Sequence, residues 1–291
     1  MVYKGKVYRP PSESQSLILQ LTVGCPHNKC EFCSMYKGKD FSIKPWETIK
    51  MHIKNVRSSH RGPIKSIFLA DGNSIIMKTE KLKRTLEYIN DKFPEVERIT
   101  SYGSACFVNL KSLAELKKLR QAGLTRIHTG MESGSKKVLQ NINKGTTPRE
   151  IIEAGKKVIT AGIELSEYYL VGVGGKDLSS QHARESARVL NKINSDFIRL
   201  RTFMPIEGTE LYEKYQQNEF ELLSPHEALQ ETKIFLENLS GINSQILSDH
   251  ISNYWNIKGE MPQDKENMLS EVEKALEISE DNFRDPTRVR L

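Results

Sequence analysis

The sequence has no long apolar run, and its charges do not form blocks. The longest apolar stretches fall far short of the roughly 20 residues that span a bilayer, and the N-terminal stretch MVYKGKVYRP lacks the apolar core of a signal peptide. Hydrophobic residues make up 37% of the chain and charged residues 27%, with the two signs interspersed, which excludes a disordered chain. We therefore expect a folded, cytoplasmic protein with no membrane partner.

Basic residues exceed acidic ones without forming a basic stripe. The net charge of +6 fits an anionic substrate, a nucleic acid or an ordinary soluble surface. The concentration of basic and aromatic residues that is typical of an RNA-binding surface is missing. The composition therefore argues against a nucleic-acid partner and favours a small-molecule substrate.

Cysteine is scarce, and the few cysteines are unevenly placed. Three of the four lie within nine positions, in the stretch TVGCPHNKCEFCSMY, and the fourth, Cys106, lies far downstream. Since a cytoplasmic chain keeps its thiols reduced, a cluster of this density indicates metal binding or catalysis rather than a disulfide framework.

The number of clustered thiols narrows the choice of metal. Cys25, Cys30 and Cys33 are separated by four and then two residues. A closed zinc site needs four ligands and would have to recruit His27 or Cys106. A four-iron cluster held by three thiolates keeps one iron open, and a catalyst binds its substrate at such a position. Both metals stay open at this point, and a zinc-stabilised binding module is the alternative from a different functional class.

Apolar strand patterns alternate with amphipathic helical patterns through most of the chain. Strands are predicted at 16–24, 64–71, 98–105, 125–132, 164–174 and 196–205, and helices at 45–58, 78–92, 112–122, 147–161 and 179–193. This alternation predicts βαβ units and a parallel sheet. Six units are too few for the complete eight-fold barrel, so we favour a partial barrel over a doubly wound open sheet. The predicted fold is α/β, a partial (β/α)6 TIM-like barrel with a C-terminal helical extension.

Three segments are expected along the chain. Residues 1–15 form an N-terminal extension, 16–215 the barrel core, and 216–291 a helical extension that caps the barrel. After about residue 220 the strand patterns stop, and helical patterns at 224–239 and 264–278 are joined by the polar stretch SQILSDHISNYWNIKGE. Functional loops of such a barrel lie at the carboxyl ends of its strands, and the cysteine loop follows the first strand.

The cysteine loop, with Phe32 directly before its last cysteine, resembles that of the radical S-adenosylmethionine (SAM) superfamily. The resemblance covers about residues 15–210. It implies that Cys25, Cys30 and Cys33 hold a [4Fe–4S] cluster, whose open iron chelates the amino and carboxylate groups of SAM. Reduction then cleaves the sulfonium and yields a 5′-deoxyadenosyl radical. The commonest family spacing is C-x3-C-x2-C, whereas this chain has C-x4-C-x2-C, which leaves the subfamily open.

Other segments resemble the family in the expected order along the chain. They are LADGN after the second strand, TGMESGS after the fourth, LVGVGG after the fifth and RTFMPIEGTEL after the sixth. The resemblance implies cofactor contacts at Phe32, Ala70, Asp71, Gly72, Ser104, Glu132, Ser133, Val171, Arg201 and Met204. It also implies a flavodoxin- or ferredoxin-type electron donor as a partner.

The segment SDHISNYW at residues 248–255 is our candidate for substrate contacts, with His250 or Tyr254 as the proton or hydrogen donor. Cys106 is a third candidate, as a hydrogen donor to a substrate radical. The same cavity is expected to be lined by Tyr102, Tyr168 and Arg199.

The sequence indicates less about the net reaction than about the cofactors. One cysteine remains after the first cluster, which disfavours members with auxiliary clusters, and no cobalamin-binding pattern precedes the barrel. The resemblance implies an enzyme that abstracts hydrogen from a small molecule, with tetrapyrrole- and tRNA-modifying enzymes as alternatives. A nicotinamide-dependent oxidoreductase using GVGG near residue 172 is disfavoured, because these glycines follow the fifth strand instead of the first.

Overall fold

The computed structural model describes residues 3–283; residues 1–2 and 284–291, at the ends of the predicted N-terminal and C-terminal segments, lie outside the described residues. The described chain forms a mostly parallel sheet with the strand order β1-β4-β5-β6-β7-β8-β9-β10. These strands are β1 (Leu17–Gln20), β4 (Ser66–Ala70), β5 (Arg98–Gly103), β6 (Leu124–Glu132), β7 (Glu164–Val171), β8 (Phe197–Thr202), β9 (Gln245–Leu247) and β10 (Lys258–Glu260). A separate antiparallel pair joins β2 (Thr22–Val23) to β3 (Ser42–Ile43).

Two compact units make up the chain. The first contains the described residues up to Asn28, Met35–Thr129 and Lys157–Leu165. The second contains Lys29–Ser34, Gly130–Lys156 and the described residues from Ser166 onward.

Amphipathic helices accompany the strands. They are α1 (Trp46–Ser59), α2 (Thr79–Lys92), α3 (Ala105–Asn109), α4 (Leu113–Gln121), α5 (Lys136–Asn141), α6 (Pro148–Thr160), α7 (Gly175–Ile193), α8 (Glu210–Gln216), α9 (Pro225–Glu237) and α10 (Lys265–Leu276). None of the helices within residues 3–283 is both long and apolar enough to cross a membrane.

Hydrogen bonds between side chains and the backbone cap the first turn of two helices. Helix α4 begins with a capping box, in which Ser112 Oγ accepts from the backbone N–H of Glu115 at 3.2 Å and Glu115 Oε2 accepts from the backbone N–H of Ser112 at 2.9 Å. Ser224 and Glu227 repeat this arrangement at the start of α9, where Pro225 occupies the first helical position.

The α/β class and the six predicted parallel-sheet strands are confirmed, although no closed barrel is formed by the described strands. The first predicted strand is divided in the structure: β1 ends at Gln20, and Thr22–Val23 form β2, which pairs with β3. The division into segments 1–15, 16–215 and 216–291 stays a prediction.

The expectation that strands stop near residue 220 is wrong. Strand β9 pairs in parallel with β8, and β10 pairs antiparallel with β9. Both strands lie inside the polar stretch that was expected to join two helices. Each has three residues, and in β9 only Ile246 is fully buried, so the apolar pattern is too short to predict a strand.

A buried hydrogen-bonded pair of titratable side chains lies in the first unit. Glu13, at the end of a 3-10 helix, lies with Oε1 3.0 Å from Nε2 of His128 in β6, and both side chains are fully buried. The Glu13 Oε2 accepts from Ser16 Oγ at 2.5 Å and lies 3.4 Å from Arg98. Burial alone would raise the pKa of Glu13, but the hydrogen bonds and charges of these partners outweigh it and lower the pKa to about 2.

Candidate functional site

The carboxylate of Asp71 holds the start of the cysteine loop in the first unit by a hydrogen bond. Asp71 directly follows β4 and is fully buried. Its Oδ2 accepts from the backbone N–H of Gly24 at 3.2 Å and from Gln20 Nε2 at 2.9 Å, and its own N–H donates to Thr22 Oγ1 at 3.3 Å. Through its carboxylate and its backbone N–H, Asp71 therefore connects β1, β2 and the residue that precedes Cys25.

The backbone of Gly72 packs directly against the first cysteine. A Cβ atom built on Gly72 would lie 2.9 Å from the carbonyl oxygen of Gly24 and 3.0 Å from Cβ of Cys25. No side chain fits in this space without displacing the cysteine loop. The structure thus shows a packing role for Gly72, and its predicted cofactor contact stays a prediction.

Two buried oxygens beside this loop have no hydrogen-bond partner in the described part of the chain. They are Oδ1 of Asp71 and Oδ1 of Asn73. Burial raises the pKa of Asp71, and the hydrogen bonds from Gln20 and Gly24 with the charge of Lys39 act in the opposite direction. Orphaned acceptors of this kind fit a ligand that carries N–H donors, such as the ammonium of an amino acid.

Asn73 also connects to the end of β5. Its Nδ2 donates to Ser104 Oγ at 3.1 Å, and Ser104 Oγ lies 3.2 Å from Sγ of Cys106 in the first turn of α3. The structure therefore brings together the predicted cofactor residue Ser104 and the predicted hydrogen donor Cys106. Sequence reasoning missed Asn73, although it stands directly after the LADG segment.

The second half of the cysteine loop belongs to the second unit. The backbone N–H of Cys33 donates to the carbonyl of Cys30 at 3.3 Å, which makes a single turn between them. Glu31 lies in this turn; its N–H donates to the carbonyl of Ile142 at 3.0 Å, and its carbonyl accepts from the N–H of Leu211 at 2.9 Å. Backbone hydrogen bonds on both sides of Glu31 thus hold these two cysteines.

Lys144 places a positive charge beside the same two cysteines. Its Nζ lies 3.0 Å from Glu132 Oε1 and 5.6 Å from the ring centroid of Phe32. Burial alone would lower the pKa of Lys144, but the negative charges of Glu132 and of the thiolates of Cys30 and Cys33 outweigh it and raise the pKa. Phe32 and Glu132, both predicted cofactor residues, are therefore close to one cation.

Ser133 is buried and already has protein partners. Its Oγ lies 2.8 Å from Nδ1 of His182 and accepts from the backbone N–H of Ser135 at 2.9 Å. The other ring nitrogen of His182 lies 3.1 Å from the carbonyl of Leu170. These contacts place Ser133 in a packed network, and its predicted contact with the cofactor stays a prediction.

A buried carboxylate from α9 holds the end of β7. Glu231 accepts from Tyr169 Oη and from the backbone N–H of Gly172, both at 2.8 Å, and from Ser179 Oγ at 2.6 Å. Val171, a predicted cofactor residue, lies between two of these anchored residues. Burial, with the adjacent Glu231 carboxylate, raises the pKa of Tyr169. Sequence reasoning missed Glu231, because no local pattern links it to residues far upstream.

Strand β8 carries two arginines beside the predicted substrate segment. The guanidinium of Arg201 lies 4.8 Å from the ring centroid of Tyr168, and Arg199 lies 3.8 Å from Oδ1 of Asp249. Burial, together with the positive charge of Arg201, lowers the pKa of His250 to about 4. His250 is therefore a neutral imidazole near pH 7, with Arg201 as a charged neighbour.

Tyr254 lines a small cavity in the second unit. The cavity has a volume of about 10 Å³, roughly the space of one water molecule, and Val171, Thr202 and Asn253 also line it. Asn253 is buried and accepts from Thr202 Oγ1 at 3.0 Å. The structure thus brings Tyr254 next to Val171, while Met204 follows the end of β8 and is partly buried.

The cysteines have the chemistry that an iron–sulfur cluster requires. All four are free thiols with partly exposed side chains, and soft thiolates are the ligands that iron–sulfur clusters select. Within residues 3–283, no three or more His, Cys, Asp or Glu side chains are grouped so that they could hold a metal ion. The thiols of Cys25, Cys30 and Cys33 thus fit the cluster in their chemistry, and their grouping around it stays a prediction.

Comparison with known proteins decides the family. A family model described as the Radical SAM superfamily matches residues 19–189, more than half of the chain. The chain belongs to the radical SAM superfamily. It is therefore an enzyme, and the cofactors of this family are a [4Fe–4S] cluster and SAM. The match covers the cysteine loop and the LADGN, TGMESGS and LVGVGG segments.

Individual relatives of this radical SAM protein are distant. The uncharacterised protein MJ0486 of Methanocaldococcus jannaschii is 25% identical, over 82% of this chain and 74% of its own length. The tRNA uridine(34) acetyltransferase of Methanocaldococcus infernus is 21% identical, over 71% of this chain and 46% of its own length. The biotin synthase of Methanococcus vannielii is 25% identical, over 75% and 63%. This chain thus spans less than half of the acetyltransferase.

Solved structures show the same fold. Methylornithine synthase superposes with a TM-score of 0.54 at 15% identity, over 88% of this chain and 68% of its own. Coproporphyrinogen III oxidase from Escherichia coli superposes with a TM-score of 0.55 at 16% identity, over 76% and 52%. At these identities the similarity concerns the fold alone.

Proposed function

We propose that the protein reductively cleaves SAM at a [4Fe–4S] cluster held by Cys25, Cys30 and Cys33, and abstracts hydrogen from a small-molecule substrate. When bound, the cluster and SAM supply a 5′-deoxyadenosyl radical after one-electron reduction. The observation that carries the proposal is the cysteine loop: its three thiols are all free, and backbone hydrogen bonds hold it in each unit.

The residues around the loop support cofactor binding. The orphaned Oδ1 of Asp71 provides a buried acceptor for the ammonium of SAM. Gly72 keeps Cys25 close to the end of β4 because no side chain intervenes. The backbone beside Val171, held by Glu231, provides an ordered edge for the adenine. The guanidinium of Arg201 provides a partner for the carboxylate of SAM.

The proposed substrate residues lie in the second unit. His250 is partly buried, and because its pKa is lowered to about 4 it is neutral near pH 7, where its imidazole accepts a proton rather than donates one. Tyr254 lines a cavity and carries a phenol hydrogen, and Cys106, in the first unit, carries a thiol hydrogen. Tyr254 and Cys106 are the candidate hydrogen donors to the substrate, and His250, which donates only in its protonated form, is the candidate for proton transfer.

The net charge and the free thiols support a proposed electron donor and a proposed location. An acidic flavodoxin- or ferredoxin-type protein suits a chain with a net charge of +6. We propose the cytoplasm as the location, since free thiols that are clustered within nine positions of the sequence stay reduced there.

Anaerobic reconstitution with iron and sulfide tests this function. The protein is then mixed with dithionite and SAM, and bound iron and 5′-deoxyadenosine are measured. We expect C25A, C30A and C33A each to lose the cluster and the product. The matched control is C106A, which removes a thiol outside the loop and should retain the iron content. One zinc per chain with no visible absorption in the wild type would refute the proposal.

A further inference from the structure

Arg199 and Arg201 lie on the same face of β8. Side chains alternate along a strand, so residues two positions apart point the same way. In the register of the sheet, Arg199 stands beside Tyr168, and Arg201 beside Leu170 of β7. The opposite face is covered by α9, because Tyr169 stacks on Phe235 with ring centroids 4.3 Å apart. The two arginines therefore point away from α9.

Neither guanidinium makes a hydrogen bond within the described residues. The Arg199 side chain is only 10% exposed, and its nearest carboxylate oxygen, on Asp249, is 3.8 Å away, beyond hydrogen-bond distance. The Nε atoms of Arg199 and Arg201 are both buried without a partner. Arg201 instead stacks on Tyr168. Burying a charged donor without an acceptor costs free energy. We therefore expect a ligand to supply the acceptor for these guanidinium groups.

Charge around the pair is not balanced. The carboxylate of Asp249, 3.8 Å from Arg199, belongs to a side chain that is 54% exposed. Ser166, two residues before Tyr168 on the same face of β7, is fully buried, and its Oγ also lacks a partner among residues 3–283. This face therefore offers two cations and a neutral hydroxyl, which is a setting for an oxyanion.

Another strand arginine of this protein shows the contrast. Arg126 in β6 is 11% exposed, almost as buried as Arg199, and its Nε donates to Glu164 Oε2 at 2.8 Å. The guanidinium of Arg126 therefore has a carboxylate acceptor within the protein itself. Arg199 has similar burial without such a partner, so the fold alone does not account for it.

We propose that Arg199 binds an oxyanion of the substrate, which is therefore a small molecule carrying a carboxylate or phosphate group. This inference rests on the proposed function, in which Arg201 takes the carboxylate of SAM. Arg199 is left for a second anion on the same face. A guanidinium binds both groups through paired N–H donors, so the anion recognised is the shared chemistry.

Anion binding to the reconstituted, SAM-loaded protein tests the proposal. Inorganic phosphate and succinate are titrated separately by calorimetry into the wild type and into R199Q, R199K and R184Q. Arg184 is an exposed arginine of α7 and serves as the matched control. We expect the wild type and R184Q to bind at least one of the two anions. R199Q should bind about tenfold more weakly or worse, as a lost charge-assisted hydrogen bond predicts, and R199K should fall between them.

The outcomes separate the two proposals. Phosphate binding alone assigns a phosphorylated substrate, and succinate binding alone assigns a carboxylate. Equal affinities in R199Q and the wild type, or no binding of either anion to the wild type, would overturn the role of Arg199. Iron content and 5′-deoxyadenosine formation are measured on the same wild-type preparation. If these are normal while anion binding fails, only this inference falls; if they are absent, the proposed function itself falls.

Discussion

The carboxylate of Asp71 accepts a hydrogen bond from the backbone N–H of Gly24 at 3.2 Å. A residue at the end of β4 therefore holds the backbone that leads into Cys25. The same carboxylate accepts from Gln20 in β1, so the start of the cysteine loop depends on one buried side chain. The anchoring of the loop can therefore be tested by substituting Asp71, without changing a cysteine.

Replacing Asp71 with alanine should loosen the cysteine loop. The change leaves the Gly24 N–H and the Gln20 amide without their acceptor, and hydrogen bonds to a charged group contribute about 1.5–3 kcal/mol each. We expect D71A to lose iron faster than the wild type when a chelator is added. Iron retention over time measures the effect. D91A, at an exposed position in α2, should retain iron like the wild type; equal loss from both variants contradicts the prediction.

A methyl group at Gly72 should displace Cys25. The Cβ would lie within 2.9 Å of the Gly24 carbonyl oxygen, closer than real Cβ contacts, so the loop has to move. We expect G72A to incorporate less iron than the wild type under the same reconstitution. The control is G241A, where φ is +65° but nothing lies within 4 Å of the added Cβ. It carries backbone strain without the steric contact. Full iron content in G72A would show that the close approach is dispensable.

Removing the charge of Lys144 should lower the reduction potential of the cluster. A cation near Cys30 and Cys33 stabilises the more negative, reduced cluster, so its loss disfavours reduction. We expect a lower midpoint in K144M and a value near the wild type in K144R. Redox titration monitored by electron paramagnetic resonance measures the midpoint. K192M removes an exposed lysine of α7 and should leave the midpoint unchanged. A K144M midpoint equal to the wild type would contradict the electrostatic role.

The Glu13–His128 pair should make the stability of the protein depend on acid pH. Because the pKa of Glu13 is lowered from 4.5 to about 2, the folded state favours the carboxylate. The resulting stabilisation, on the order of 3 kcal/mol, is complete above about pH 4.5 and is lost as the pH falls toward about 2.

The variant E13Q isolates this contribution. We expect the wild type to be more stable than E13Q at about pH 5, just above the ordinary carboxyl pKa. This difference in free energy of unfolding should shrink as the pH falls toward about 2. Urea unfolding followed by circular dichroism measures it. A difference that does not change down to the onset of acid unfolding would show that the carboxylate charge of Glu13 contributes no stability.

Local patterns were sufficient for much of the fold. The apolar and amphipathic periodicities predicted the six main strands and their accompanying helices, and the capping box at Ser112 and Glu115 involves only four consecutive residues. Such features depend on neighbours along the chain, so the sequence carries them directly. Strands β9 and β10 were missed because three residues each are too few to show a period, and pairing with β8 makes the first of them.

The candidate site likewise combines features that the sequence shows with features that only the tertiary structure shows. The sequence alone determined the three clustered thiols and their spacing, which limited the metal site to zinc or an iron–sulfur cluster. Only the tertiary structure decided which carboxylates hold the neighbouring backbone: Asp71 at Gly24, and Glu231 at Gly172. It also decided that Arg199 is buried without an acceptor while Arg126 has one. The physical reason is that burial and hydrogen-bond pairing arise between residues far apart in the chain, where no local pattern records them.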